Sequence, residues 1–221
     1  MAFREEVFQD RREAGRVLAR AIQASAVWLD CQDGIVLGLP RGGVPVAYEV
    51  ARALDLPLDI VVVRKLGVPG FGELAMGAVA SDGTVTINQA VLEEYCIPLE
   101  VVDAAAEREK EEIERRNDRP PAPIEGRMAI LVDDGLATGA SMLAAVRAVR
   151  PRARKVTVAV PVAMKDTCDQ LRSEVDHLIC ARMPRRFYSV GSFYQDFAQT
   201  TDEEVVSLLK KAADEQRWRV A

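Results

Sequence analysis

The sequence predicts an α/β domain with a mostly parallel central sheet flanked by helices, on three observations. Short apolar runs recur at residues 34–39, 58–63, 128–132, 155–160 and 175–180, each the length of a strand buried on both faces. Stretches of helical periodicity separate most of these runs, and strands alternating with helices favour a parallel sheet. The strongest run ends in two adjacent carboxylates and a turn of small residues, at the end of a strand where open α/β sheets bind their ligands.

Composition narrows the class. The 221 residues suffice for a core, are read as a single domain over 1–221, and are 49% apolar, as in a soluble globule. A formal net charge of −5 and an isoelectric point near 5.2 argue against a nucleic-acid or anionic-membrane surface. The charged stretch 1–13 is unlike a signal peptide, and no apolar run approaches the ~18 residues of a membrane span, so a cytoplasmic location is expected. Cys31, Cys96, Cys168 and Cys180 have no metal-site spacing and read as buried or inert thiols. His177, the one histidine, lies in an apolar run and is expected to be structural. Without a second histidine, neither a Ser-His-Asp triad nor a His-based metal site can be assembled.

In chain order, Asp10-Arg11-Arg12-Glu13 has the form of a capping box. Ala14, Val17, Leu18, Ala21, Ile22 and Trp28 then mark one face, so the spacing predicts a helix over 11–29. The strand at 34–39 runs into Pro40-Arg41-Gly42-Gly43 and a helix carrying Val46, Ala47, Val50, Ala51 and Leu54. A glycine turn with an arginine before a helix can hold an anion or be a plain turn. It does not fit G-x-G-x-x-G, and the chain lacks G-x-x-x-x-G-K-[ST], which disfavours dinucleotide and nucleoside-triphosphatase sites. The strand at 58–63 leaves Arg64-Lys65 at its end, facing either ligand or solvent. Residues 66–76 hold three glycines and a proline, and read as a mobile loop of the kind that closes over substrates. Residues 78–80 and 84–87 form a hairpin through 81–83. A charged helix over 99–117 ends at Pro120, Pro121 and Pro123, which lead into the central strand.

That strand, 128–132, delivers Asp133 and Asp134 into the small-residue turn 135–141, and Met142, Leu143, Val146 and Val149 continue at helical spacing. Small residues let backbone N–H groups approach a phosphate, and a helix N-terminus adds partial positive charge. The carboxylates would repel that phosphate unless they faced sugar hydroxyls or a Mg²⁺ carried by the ligand. The stretch therefore reads as a site for a phosphorylated sugar. Beyond it come a strand at 155–160, a helix at 163–173, a strand at 175–180 and a helix at 201–213. Five of the chain's twelve aromatic residues lie within 187–197, either anchoring the last helix or forming a wall for a planar acceptor.

Val132-Asp133-Asp134-Gly135-Leu136-Ala137-Thr138-Gly139-Ala140-Ser141 closely resembles the 5-phosphoribosyl-1-pyrophosphate (PRPP) signature of type I phosphoribosyltransferases. The resemblance covers about residues 30–195 and looks like one to a less characterised branch of that family. It implies a core of about 30–182 under a small hood built from about 1–29 and 183–221. It implies Mg²⁺ held mainly through PRPP, with no protein metal ligands named, and replacement of pyrophosphate at C1 of the ribose. Asp133 and Asp134 would hold the ribose hydroxyls, and Ala137, Thr138, Gly139, Ala140 and Ser141 the 5′-phosphate. Arg41, Gly42 and Gly43 would meet the pyrophosphate, on a loop that in the family commonly holds a cis non-proline peptide, here Pro40–Arg41. Arg64 and Lys65 would assist the leaving group, and the loop after them would cover the reacting groups. Phe187 and Tyr188 would seat the acceptor. Members acting on 6-oxopurines usually carry an Asp where this chain has Ala137, which cannot relay a proton. The partners implied are PRPP and a small-molecule acceptor, with no nucleic acid and no membrane, and a homodimer is compatible with the resemblance. A PRPP or nucleotide sensor without turnover is the alternative, since fold and motif do not prove activity.

Overall fold

The computed structural model describes residues 7–69, 71–80, 83–116 and 122–220, and of 71–74, 114–116 and 216–220 the backbone alone. The elements are α1 (Arg11–Gln23), β1 (Ile35–Gly38), α2 (Gly43–Leu54), β2 (Leu58–Ile60), β3 (Val63–Val68), β4 (Phe71–Ala80), β5 (Val85–Ile87) and α3 (Gln89–Glu94). They continue with α4 (Leu99–Arg116), β6 (Met128–Val132), α5 (Ala140–Val149), β7 (Lys155–Val162), α6 (Lys165–Leu171), β8 (His177–Arg182) and α7 (Asp202–Val220).

Five strands form one parallel sheet in the order β2-β1-β6-β7-β8. Strand periodicity sends alternate side chains to opposite faces. Val36, Ile130 and Val132 pack with Leu18 and Ile22 of α1 and Val46 and Val50 of α2. Ile35, Leu37, Ala129 and Leu131 pack with Met142 and Val146 of α5 on the other face. All five residues of β6 are buried, so the strand that carries the acidic pair is the centre of the core. On the β2 side, Val205, Leu208, Leu209 and Ala212 of α7 lie on Val44, Tyr48, Leu58 and Ile60.

Asp10 caps α1, but the reciprocal bond of a capping box goes to the residue before the cap. Asp10 accepts the Glu13 amide at 2.7 Å, while the Glu13 carboxylate accepts the amide of Gln9. The helix stops at Gln23, short of the expected 29. Ser25 donates its hydroxyl to the Ile22 carbonyl at 2.7 Å, and residues Ala26–Asp30 tighten into a 3₁₀ turn that leaves Trp28 partly exposed.

Two expectations fail in the region after β2. The segment 66–76 folds as strands rather than as a loop, within a separate antiparallel sheet β3-β4-β5. Leu66, Val68 and Met76 are buried against Val102, Ala105 and Ala106 of α4, and this alternation outweighs the loop signal of the glycines. The register shifts on either side of Gly67, where the absent side chain tolerates a bulge. Gly70 lies outside the described residues, as do Ser81, Asp82, Pro120 and Pro121, on which the reading of a hairpin turn and a helix end depended. Arg64 and Lys65 accordingly sit inside β3 and not at the end of a strand over 58–63, because β2 stops at Ile60. The hairpin itself is present as β4 and β5, with Gly77 opposite Ile87. The helix α3 was not foreseen in the sequence.

His177 opens β8 and therefore lies at the amino edge of the sheet, opposite the acidic pair. The four cysteines are free thiols: Cys31 and Cys168 are buried, Cys180 is half-buried and Cys96 is exposed, so burial does not hold for all. Among the described residues no helix is long and apolar enough to cross a membrane.

Candidate functional site

β1 and β6 are neighbours, with Gly38 opposite Val132, so the turns that follow them emerge side by side at the carboxyl edge. β1 leads through α2 to β2 on one side, and β6 leads through α5 to β7 on the other. The chain thus diverges between the two strands, which opens a crevice at the strand ends.

The glycines fuse the two turns. A Cβ on Gly42 would lie 2.2 Å from Oδ2 of Asp134, and one on Gly43 would lie 2.7 Å from the Val132 carbonyl oxygen. The peptide between Pro40 and Arg41 is cis. No side chain caps α2 or α5 at its N-terminus, and Gly139, just before α5, has φ of 70°. At the start of α2 the amides of Gly43 and Val44 donate to the Leu39 and Arg41 carbonyls at 3.0 and 3.2 Å, whereas the first turn of α5 presents its N–H groups to another acceptor. The turn before α5 is braced from α6, where Thr167 donates its hydroxyl to the Ala137 carbonyl and its methyl packs on Gly139. Ala137, Thr138 and Ser141 are exposed and Gly139 and Ala140 half-buried, so this turn faces outward.

Between the two helix starts sit the carboxylates. Oδ1 of Asp133 accepts the Asp134 amide at 2.8 Å, and Oδ2 of Asp134 accepts Nε of Arg11 at 2.9 Å. The Arg11 side chain is 12% exposed and that of Asp134 15%, so this is a largely desolvated pair. Arg11 also donates to the Ala198 carbonyl at 2.7 Å and lies 3.9 Å over the Phe197 ring. Tyr194 donates its hydroxyl to the Asp134 carbonyl oxygen at 2.6 Å. Burial, then the neighbouring Asp134 charge, push Asp133 well above the usual carboxylate range. Burial raises Asp134 too, and Arg11 opposes that rise.

The other expected site residues are spread more widely. Arg41 reaches Asp202 at the start of α7 at 3.8 Å, across an exposed gap. Arg64 pairs with Glu109 of α4 at 2.7 Å, and Lys65 is exposed. Phe187 is half-buried against Phe193, with ring centroids 5.3 Å apart, whereas Tyr188 is 84% exposed. The aromatic segment touches the acidic turn through Val190, whose Cγ1 would lie 2.7 Å from a Cβ on Gly135. Arg11, Thr167 and Tyr194 were missed by sequence reasoning. Arg11 reads as a solvated first-turn charge, and no local spacing joins it to a partner 123 positions away.

The family model described as phosphoribosyl transferase domain matches residues 9–183. The chain belongs to the phosphoribosyl transferase domain family. A curated relative from Mycobacterium tuberculosis (strain ATCC 25618 / H37Rv), named "Putative phosphoribosyl transferase Rv0571c", is 42% identical over 213 residues, 94% of this chain and 47% of the relative. The chain thus spans about half the length of the curated relatives it matches. The crystal structure of TT1426 from Thermus thermophilus superposes with a TM-score of 0.82 at 42% identity, covering 93% of this chain and 98% of that one. A hypothetical protein from Neisseria gonorrhoeae with bound ppGpp shares the fold at a TM-score of 0.52 and 11% identity, over 93% of this chain and 96% of its own. Within this phosphoribosyl transferase domain lie both glycine turns, the acidic pair and Arg11, while Phe187, Tyr188 and Tyr194 fall beyond the matched segment.

Proposed function

We propose that this chain transfers the 5-phosphoribosyl group of PRPP to a planar nitrogenous acceptor and releases pyrophosphate. The observation that carries this reading is the acidic pair set at adjacent strand ends between the small-residue turn before α5, whose N-terminus has no side-chain cap, and the glycine turn carrying Arg41. PRPP has the matching order of charges: a phosphate, a vicinal diol and a diphosphate. Ala137, Thr138, Gly139, Ala140 and Ser141 bind the 5′-phosphate, and Arg41, Gly42 and Gly43 the diphosphate. Asp133 and Asp134 accept hydrogen bonds from the ribose hydroxyls, with one Asp134 oxygen already engaged by Arg11.

In the reaction the C1–O bond to diphosphate breaks with its electron pair leaving on the diphosphate, an acceptor nitrogen forms the new bond to C1, and the acceptor's N–H proton passes to the departing diphosphate or to water. The protein's task is to position the two reactants and stabilise separated charge. Arg64 and Lys65 assist the departing diphosphate, Arg64 by exchanging Glu109 for it. No group of three or more His, Cys, Asp or Glu side chains able to hold a metal is gathered among the described residues. Mg²⁺ would be held mainly through PRPP itself and would supply charge neutralisation of the diphosphate, with no side chain of this chain assigned to it. Phe187 and Tyr188 line the acceptor side. Ala137 offers no base for a proton, so a 6-oxopurine is not the acceptor.

The test is twofold. PRPP with Mg²⁺ is expected to raise the melting temperature, ribose 5-phosphate to raise it less, and pyrophosphate to be released in the presence of one member of a panel of bases. No stabilisation at millimolar PRPP would refute the assignment. A PRPP or nucleotide sensor is the second reading, favoured by the acidic partners that already occupy Arg41 and Arg64. Stabilisation by PRPP without pyrophosphate release from any base would select it. For the acceptor, Tyr188→Ala is expected to raise its KM roughly 5- to 150-fold, as loss of a ~1–3 kcal/mol stacking contact would, with PRPP affinity unchanged. Steady-state kinetics with the acceptor varied checks this, and unchanged acceptor kinetics would remove Tyr188 from the site.

A further inference from the structure

We propose that Arg11 is a positioning residue for the acidic pair: it holds Asp134 ionised and fixed against Gly42, so that the pair meets the ligand's diol with one defined charge. The geometry is specific. Oδ2 of Asp134 points at both Nε of Arg11, 2.9 Å away, and the space beside Gly42 where a Cβ would sit only 2.2 Å from it. The same guanidinium lies 3.4 Å from that Gly42 position, so it touches the acidic turn and the glycine turn together. Arg11 cannot swing away freely, because the Ala198 carbonyl and the face of Phe197 hold its other sides. Its helix is fixed in turn by the Asp10 cap on the Glu13 amide and by the Glu13 carboxylate on the Gln9 amide.

The groups that face Asp134 are Arg11 from α1, Asp133 beside it on the end of β6, and the Tyr194 hydroxyl on its carbonyl. Arg182 at the end of β8 acts on Tyr194. Arg11 is thus the cation in direct contact with Asp134, the nearer of two crowded carboxylates. A nearby opposite charge favours the ionised form of an acid, and its removal leaves burial and like-charge repulsion unopposed. Without Arg11, the pair would take up a proton at higher pH and present a donor where the diol needs an acceptor. Nothing in the sequence marks this role, since Arg11 and Asp134 meet only in the folded chain.

This inference rests on the PRPP reading only in its binding arm. In the ligand-free chain, ¹³C carboxyl NMR is expected to give an Asp134 midpoint about 1–3 pH units higher in Arg11→Gln than in the parent, while Arg11→Lys stays near the parent. In the binding arm, the ratio of variant to parent Kd for PRPP with Mg²⁺ is expected to be several-fold larger near pH 6.5 than near pH 8.5 for Arg11→Gln. Arg11→Lys should show a ratio that does not vary with pH. A purely structural role would weaken binding equally at both values. Phe197→Leu, which keeps bulk but removes the ring under the guanidinium, should shift both readouts in the same direction by less, and serves if Arg11→Gln does not fold. An unmoved carboxyl midpoint in these variants, or a pH-independent Kd ratio for Arg11→Gln, overturns the role of Arg11. A parent that binds no PRPP while the midpoint moves as expected refutes the proposed function and upholds that role.

Discussion

Asp133→Asn and Asp134→Asn are both expected to weaken PRPP binding, but only the second should also lose stability. Asp134 is assigned a charge-assisted hydrogen bond to a ribose hydroxyl, worth ~1.5–3 kcal/mol, and Asp133 an ordinary one, worth ~0.5–1.5 kcal/mol, so the amides should weaken binding by roughly 10- to 150-fold and 2- to 10-fold respectively. Asp134 additionally balances Arg11 where both side chains are largely buried. Breaking such a pair from one side costs ~3–5 kcal/mol, which in a domain of this size lowers the melting temperature by about 10 °C. Asp133 instead carries a destabilising charge. Its folded-state titration lies above the unfolded value, because burial and Asp134 both disfavour its ionised form. A raised carboxyl gives its full relative stability below the unfolded titration and loses it as pH rises toward the folded one. Asp133→Asn should therefore melt with the parent below about pH 4 and at or above it near pH 7, the ordinary Asp value being ~3.9. Melts across pH combined with calorimetric titration of PRPP test both claims. Parent-like PRPP affinity in both variants would mean that the acidic pair is structural.

Gly43→Ala is expected to damage the site through a single added methyl group. The new Cβ would sit 2.7 Å from the Val132 carbonyl oxygen and 2.9 Å from the Asp133 Cα, and both of these are backbone. No side chain can rotate out of the way, so the end of β1 must part from the end of β6. Overpacking of this kind costs ~1–3 kcal/mol. The larger effect falls on the ligand, because the separation breaks the juxtaposition of glycine turn and acidic pair. A displacement near 1 Å can cost about 10²-fold in rate. Pyrophosphate-release kinetics should fall by about that factor, with a drop of a few degrees in the melting temperature. Full activity in Gly43→Ala would mean that the close contact of the two turns is not needed for function.

The parallel strands were legible because burial on both faces leaves an unbroken apolar run, as in residues 128–132. The acidic pair, both glycine turns and the Asp10 cap were legible because their chemistry is local in sequence. Residues 66–76 were misread because Gly67 and Gly72 dominate the local signal, whereas the strand is held by Leu66, Val68 and Met76 against a helix about thirty residues further on. Arg64 was assigned to a strand end for the related reason that one apolar run, 58–63, feeds two different sheets. The partners of the acidic pair were invisible because Arg11 and Tyr194 reach it from opposite ends of the described chain, through single hydrogen bonds that leave no periodic trace.

The Tyr194–Asp134 hydrogen bond has a consequence for the order in which a nascent chain acquires its site. Asp134 leaves the ribosome with Arg11 already made, but Tyr194 follows 60 residues later. At ~5–20 residues per second, the acidic turn waits about 3–12 s for its last partner. Phe197 and Ala198, which hold the far side of the Arg11 guanidinium, arrive just after it. During that interval the parallel strands β1, β2, β6 and β7 can pair, while the Asp134 carbonyl lacks Tyr194 and the Arg11 guanidinium lacks Phe197 and Ala198. A chain stalled before residue 194 would carry the signature motif without its setting.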